Sequence, residues 1–539
     1  MSSTDNKILI ISLDGATFDV IRPLAQEGYL PNLGQLMMYG SHTDLESTMP
    51  YITPAAWTSF MTGTLPEKHG IFDFLQFMPH TYETRLVNSQ KIRGKTIWKI
   101  LSEKGKKVAV IHLPMTYPPY EVNGIMVSGF DTPSIKTDFT YPKGLKKEIL
   151  NIIPDYDFHV PEAADYFHNK GFETFMNQIK RSLELRHLLA SHLLEKEPWD
   201  VFMINFQDLD CLHHNVWHYL DYQGSDGIAS ERKKVIISFF TYMDTIVGDL
   251  LDKAHDMFSH VMIVSDHGAG PAYITVHPNS LLKEWGFLSV YEDHAMNKKK
   301  KTYLKFKNIV RTIRGDFDND SAKGHVSFSR DIVDWRNTRA YVPIADIAAF
   351  CYINKAGREK GGIVTDIEYD RFCNEIRDMF LSTYEPLSGI KAFKEVFIGK
   401  DYFRNNGNPN LPDLILVPND GFTVNKAFTT KRNYSTPSLS GTHKRNGVLI
   451  IKGNNVKQGL TGFKANIVDM APTILYILDL PIPSDMDGHP LLDIIAHNEQ
   501  KAKWEDSDKS QSTETEGQFD YKKEEKEQIE KRLKSLGYL

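Results

Sequence analysis

The sequence predicts an α/β protein built on a mostly parallel central sheet, and three observations carry that expectation. Short apolar runs flanked by turn residues alternate with amphipathic segments along most of the chain. Three of those runs are followed closely by ionisable groups: Asp14 after ILIISL, Asp208 and Asp210 after VFMINF, and Asp266 with His267 after VMIVS. Finally, 539 residues, 41% of them hydrophobic, suffice for a large core carrying insertions.

Taken in chain order, the expected strands are KILIISLDG (7–15), KKVAVIHLP (106–114), DVFMINFQD (200–208), HVMIVSDHG (260–268), PDLILVP (412–418) and NGVLIIKG (446–453). Helices are expected near 19–39, 54–62, 94–104, 172–195, 229–256, 367–382 and 466–478. The last, ANIVDMAPTILYIL, carries an apolar stripe of helical period interrupted by Pro472. The aromatic-rich, proline-containing stretch 130–172 reads as an insertion. So does 290–400, which includes KKKKTYLKFKNIVRTIR between Lys298 and Arg314. Such a basic run is ordinarily a solvated face, with steering of an anionic substrate as the alternative. The expected organisation is a catalytic core of 1–290 plus 400–497 and an inserted cap of 290–400. A charged linker and short C-terminal helix follow at 498–539, read as a solvated appendage docked through Ile529, Leu533 and Leu536.

Composition excludes some roles. A net charge of −6 gives no reason to expect nucleic acid as the main partner. Cys211, Cys351 and Cys373 follow no CxxC spacing and make no even disulfide framework, which fits a reducing compartment. The apolar run ILIISL is too short for a secretory leader or a membrane span, and no stretch approaches about 18 uninterrupted apolar residues. A cytoplasmic protein is expected, with its oligomeric state open.

Chemistry concentrates in a few places. In YITPAAWTSF (51–60), Thr53 precedes Pro54 at the start of a helix-like run. Its ordinary role there is an N-cap, with proline at the first helical position where an N–H is not needed. Its other role is a hydroxyl placed where a helix dipole and free N–H groups attract phosphate. In QDLDCLHHNVWHYLD, a helix from about Asp210 puts Asp210, His214 and His218 on one face, whereas Asp208 and His213 are five apart and align less well. Cys211 reads as packing, and His218 as an outer partner or surface residue. His443 sits in the glycine-bounded loop SGTHKRNG. Together Asp14, Asp210, His214, Asp266, His267 and His443 are hard or borderline ligands suited to zinc, manganese or iron. They suffice for two three-ligand sites, each open to a substrate oxygen or water.

The motifs ISLDG (11–15), LPNLGQL (30–36), TPAAWTSFMTGTLPEKHGI (53–71), the Asp210/His214/Trp217 segment, VSDHG (264–268) and SGTH (440–443) occur in one order across most of residues 7–490. In this the chain resembles the type I phosphodiesterase/nucleotide pyrophosphatase branch of the alkaline phosphatase superfamily. The resemblance implies an alkaline-phosphatase-like three-layer sandwich with inserted cap segments. It implies two divalent metal ions, zinc first and manganese or iron next. One would be held by Asp14, Asp266 and His267 with Thr53, the other by Asp210, His214 and His443. Thr53 would be the nucleophile that cleaves a small-molecule phosphodiester or phosphoanhydride through a phospho-threonine. Two metals about 4 Å apart suit both in-line steps. Thr58 and Ser59 fall inside the helix, where hydroxyls bond back to carbonyls.

The chain departs from that pattern at Phe74, where nucleotide-cleaving members carry an asparagine that donates to a phosphate oxygen. Asp73 beside it would repel phosphate, and Pro54 offers no N–H. His69 reads as fixing a turn, and Arg358 as a pairing partner for Glu359 or another carboxylate. The substrate-binding residues stay unassigned. TPAAW lacks the nucleophile and arginine of the sulfatase motif, and nothing resembles the membrane helices of phosphoethanolamine transferases or the inserted domain of phosphoglycerate mutases. The alternatives left open are a phosphomonoesterase or phosphonate hydrolase and a non-catalytic phospholigand-binding member.

Overall fold

The computed structural model describes residues 6–157, 171–221, 223–224, 227–291, 325–326, 328–403, 408, 410–429, 433–496, 501–506, 519–536 and 538. The basic segment 298–314, part of the 130–172 insertion and much of the charged linker lie outside these residues.

The chain divides into two compact units. The larger takes residues 1–74, 86–271 and 439–539. Its central sheet has eight strands: β1 (Ile8–Leu13), β2 (Ser41–Glu46), β3 (Val108–Leu113), β4 (Gly124–Ser128), β5 (Thr140–Tyr141), β6 (Val201–Phe206), β7 (His260–Val264) and β8 (Asn446–Gly453). They lie in the order β2-β8-β7-β1-β6-β3-β4-β5. The run β7-β1-β6-β3-β4 is parallel. Antiparallel pairing is confined to the two sides, where β8 joins β2 and β7, and β5 joins β4. Every residue of β1, β3 and β6 is buried. A strand covered on both faces needs a layer on each side, so these runs are uniformly apolar rather than alternating.

The carboxyl ends of β7, β1 and β6 lie side by side, with Leu13 opposite Phe206 and Ser12 opposite Val264. This register brings the residues just beyond those strands to one end of the sheet, the usual ligand-binding end of a parallel sheet.

The stretch expected as one helix over 19–39 forms two, α1 (Phe18–Gln26) and α2 (Pro31–Tyr39). Gly28 at φ +84° and Pro31 separate them, since one adopts a left-handed turn and the other cannot continue a helix through its nitrogen. Leu30 has no side chain to cap α2; Asp244 does so from afar, accepting from Asn32 N and Leu33 N, both at 2.9 Å. Asp244→Ala is expected to cost about 1–3 kcal/mol of stability, the penalty of orphaned buried donors, measurable by chemical denaturation. The helix expected over 466–478 starts as a 3-10 turn at Ile467–Asp469 and becomes helical at Met470–Ile477, which puts Pro472 in the first turn, where it is tolerated.

The second unit takes residues 75–85 and 272–438. It contains an antiparallel sheet of Ala340–Ala345, Ala349–Ile353, Leu414–Pro418 and Phe393–Ile398. The run PDLILVP, assigned from the sequence to the 400–497 part of the core, therefore belongs to a different sheet: apolarity marks a strand but does not choose its partners. Arg358 pairs with Asp413 at 2.6 Å and Glu359 at 2.8 Å, so its charge is internally satisfied. No helix of the described residues is long and apolar enough to cross a membrane.

Candidate active site

Thr53 begins α3 (Thr53–Thr62), whose N-cap is Ile52. It is thus the first helical residue rather than the cap, and its side chain makes no capping bond. The hydroxyl is left to face the sheet's carboxyl end, 3.3 Å from His267 Nε2. Thr58 bonds back to Pro54 O at 2.7 Å as expected. Ser59 does not; its hydroxyl meets His69 Nε2 at 2.8 Å, because the turn after α3 brings that ring within reach. His69 Nδ1 accepts from Ile71 N at 3.1 Å, which fixes the turn.

Burial pushes His69 down to about 3, with the Arg93 charge adding to the effect. The unfolded chain therefore takes up a proton near pH 6.5 that the folded chain refuses. Stability present above that value is lost as the pH falls toward 3. This residue alone is expected to remove about 2 kcal/mol between pH 6.5 and 5. Denaturation midpoints of His69→Asn and wild type over that window should diverge accordingly, with the shallower pH slope in the variant.

The helix α5 (Asp208–Leu220) starts two residues earlier than expected and carries Asp210 and His214 one turn apart, Nε2 to Oδ1 3.3 Å. Asp208 faces away to Arg186 at 3.3 Å. His213 donates through Nδ1 to Gly15 O at 3.1 Å, and His218 is exposed. Two glycines make room for these contacts. Gly15 has φ +68°, and a Cβ there would lie 3.1 Å from Asp210 Cβ; a Cβ on Gly441 would lie 2.2 Å from His213 O.

Asp14, Thr53, Asp210, His214, Asp266, His267 and His443 are all buried and converge. Asp210 Oδ1, His214 Nε2 and His443 Nε2 lie 3.0–3.3 Å from one another. His267 Nε2 is 3.3 Å from Asp266 Oδ2 and 3.8 Å from Asp14 Oδ1. His267 also lies with Asp210 and His443 in a group whose ligand atoms are all within 4.8 Å, so the two sets adjoin through this ring. Its plane stacks on His443 at 3.5 Å between centroids.

Hydrogen bonding sets the tautomers. His267, His214 and His443 each donate Nδ1–H to a backbone carbonyl, of Gly268, Gly441 and Tyr51, at 3.0, 3.0 and 3.2 Å. Each Nε2 is then an acceptor. His214 and His443 oppose two such lone pairs 3.0 Å apart, an arrangement that requires a proton or a cation. Asp14 Oδ1 and Asp266 Oδ2 are buried without a hydrogen-bond partner among the described residues. Trp57 Nε1 donates to the other Asp14 oxygen at 2.8 Å, a role for the tryptophan of TPAAW that sequence reasoning missed.

Burial, then the Asp266 and Asp210 charges, raise Asp14 well above the carboxylate range; burial and Asp210 do the same to Asp266. Burial also opposes ionisation of Asp210, but His214 and His443 outweigh it and hold that carboxyl low. Burial, with the neighbouring His443, pushes His267 well down. Three aspartates with imidazoles as their ion-pair partners, among the described residues, form an electron-rich centre short of positive charge. The donor set fits divalent cations of the zinc, manganese or iron kind.

One more group enters. Tyr538, at the far end of the chain, places its hydroxyl 2.8 Å from Thr53 Oγ1 and 2.9 Å from Asp210 Oδ2. Ile529, Leu533 and Leu536 are buried as expected, but the tail is not merely a solvated appendage: it delivers a phenol into the site. A separation of 485 residues leaves no local sequence signal for this contact.

A mostly parallel sheet with its chemistry at the strand ends defines an α/β protein of the alkaline-phosphatase-like fold. The chain belongs to the type I phosphodiesterase / nucleotide pyrophosphatase family, which it matches over residues 8–446. No curated protein matches the sequence. Among solved structures it is similar to human ectonucleotide pyrophosphatase / phosphodiesterase 5, at 12% identity and a TM-score of 0.51, covering 91% of this chain and 100% of that one. The murine counterpart, an inactive variant in complex with AMP, is similar at 12% identity and a TM-score of 0.50 over the same shares. Family membership supports hydrolase activity of the phosphodiesterase/pyrophosphatase type, and a small phosphoester fits that family as the substrate.

Proposed function

We propose that the chain is a two-metal phosphodiesterase that uses Thr53 as its nucleophile. The observation that carries this reading is the meeting of two buried Asp/His groups beside one hydroxyl that its helix does not use for capping, 3.3 Å from the ring that adjoins both groups. Asp14, Asp266, His267 and Thr53 would hold one cation, and Asp210, His214 and His443 the other. When bound, the cations supply the positive charge that makes a threonine hydroxyl acidic and a leaving oxygen stable. Thr53 Oγ1 bonds to phosphorus while the bond from phosphorus to the leaving alcohol or phosphate breaks, and the proton given up by the hydroxyl to solvent is balanced by the one the departing oxygen takes up. The threonine then carries the phosphoryl group with its remaining ester substituent; water cleaves that bond, releasing the phosphomonoester and restoring the hydroxyl. The three Nδ1–H···O=C bonds keep the imidazoles aimed inward throughout, and Trp57 holds Asp14. Zinc is the first expectation for the native ion. We also place the protein in the cytoplasm, in line with three buried free thiols.

The test sets an aryl nucleotide diester, a symmetric aryl diester and an aryl phosphomonoester side by side with Zn²⁺ or Mn²⁺. A nucleotide probe is included because one similar structure holds AMP. Diesters are expected to lead. A monoester turned over fastest would replace this reading with a phosphomonoesterase, and no turnover with bound metal would leave a phospholigand-binding protein.

A further inference from the structure

We propose that Tyr538 is a catalytic residue, a hydrogen-bond donor that the chain's own C-terminal segment supplies to the phosphoryl group on Thr53; this rests on Thr53 being the nucleophile.

The phenol has one proton and its position is constrained. Asp210 Oδ2 is a carboxylate oxygen, so Tyr538 donates to it, and the phenol oxygen is left to accept from the Thr53 hydroxyl at 2.8 Å, the shorter of that hydroxyl's two contacts, His267 Nε2 lying at 3.3 Å. The tyrosine thus bridges the proposed nucleophile and a ligand of the other cation group. Once Thr53 Oγ1 has given up its proton and bonded to phosphorus, it has nothing to donate. The phosphoryl oxygens then lie beside a phenol 2.8 Å from the atom that carries them. With Asp210 engaged by a cation, those oxygens become the stronger acceptors, and the phenol proton turns to them without leaving the tyrosine. No proton is transferred in this step. The phenol's acidity does not decide the outcome, because only donation is required.

The rest of the tail is built to hold that hydroxyl in place. The helix α8 (Lys523–Ser535) buries Ile529 and Leu533, and Leu536 follows it into the core. Arg532, also buried, donates to the carbonyls of Phe130, Thr132 and Pro133. Tyr538 N closes onto Leu533 O at 2.8 Å, which ties the tyrosine backbone to the last helical turn. Its ring packs edge-on against Phe74 at 5.1 Å and stacks on Phe130 at 6.3 Å. Phe74 offers no donor of its own. In this fold it serves as the wall that aims one. A segment needed only for stability would have no reason to place a hydroxyl at the nucleophile; a leucine or phenylalanine would fill the same space without burying a polar atom.

Tyr538→Phe keeps the ring and removes one oxygen, so the test uses the full metal-loaded chain with that change, alongside wild type and Thr53→Ala. Turnover of the preferred aryl phosphoester is expected to fall about 10²-fold in kcat, the usual loss for one preorganised donor to a developing oxyanion. Inorganic phosphate and vanadate, measured by calorimetry, are expected to bind about 10-fold more weakly, the cost of one charge-assisted hydrogen bond. Metal content and melting temperature should match wild type, which separates donation from packing. Unchanged kcat and unchanged phosphate affinity would overturn the inference. So would a rise in turnover, which would make the tail an obstruction rather than a donor. If Thr53→Ala itself retains full activity, the underlying reading of the nucleophile is what fails, and that result is recognisable whatever Tyr538→Phe does.

Discussion

Thr53→Ala is expected to lower turnover of every phosphoester substrate by at least about 10³-fold, the scale of loss when a covalent nucleophile is removed. The size follows from what alanine cannot replace. Water can reach phosphorus in the variant, but it lacks the fixed geometry that α3 imposes on Oγ1 at the head of the helix. Alanine fits the helix as well as threonine or better, because Thr53 makes no capping bond and its loss leaves no orphaned N–H. The fold and both metal groups should therefore survive. Metal analysis of the purified variant separates lost chemistry from lost cations, and mass spectrometry of wild type quenched during turnover of a diester should find the phosphoryl group with its remaining ester substituent on residue 53. Equal activity in the variant would move the nucleophile elsewhere.

Removing the metal should abolish activity just as fully and also cost stability. Asp14, Asp210 and Asp266 are all buried. Without cations, the suppressed ionisation of Asp14 and Asp266 means that the folded chain holds protons that the unfolded chain releases. The stability these two contribute is complete below about pH 4 and is lost as the pH rises through their folded values. Cations remove that penalty. Free metal about 1,000-fold above its Kd is expected to add about 4 kcal/mol at each independent site. Calorimetric melting of chelated and reloaded protein between pH 5 and 8 checks both signs. The gain from metal should grow with pH, and Asp266→Asn should raise the stability of the chelated form while shrinking the gain on reloading. A chelated protein that kept full turnover would falsify the two-metal reading.

The strands were legible because buried parallel strands are continuous apolar runs, and ILIISL, VFMINF and VMIV could be little else. The edge strand Ser41–Glu46 and the strand Gly124–Ser128, one in from the other edge, are not legible in the sequence, since such short, mixed stretches match a loop as well as a strand. The donor residues were legible for a related reason. Carboxylates and imidazoles just beyond a buried strand or at a turn of helical spacing have a restricted set of places to go. The order of the motifs along the chain then points to the family.

What the sequence determined by itself was the class of sheet and the family, and it named seven candidate donors, because each is written in a short stretch whose pattern has local physical meaning. Three matters were decided only in three dimensions. One is that His267 adjoins both donor groups. Another is that Thr53 keeps its hydroxyl out of helix capping. The last is that Tyr538 returns to meet it. These contacts join residues hundreds of positions apart, and chain pattern carries no record of which distant side chains share a site. That information arises only when the β7-β1-β6 register and the docking of α8 fix separate segments at one end of the sheet.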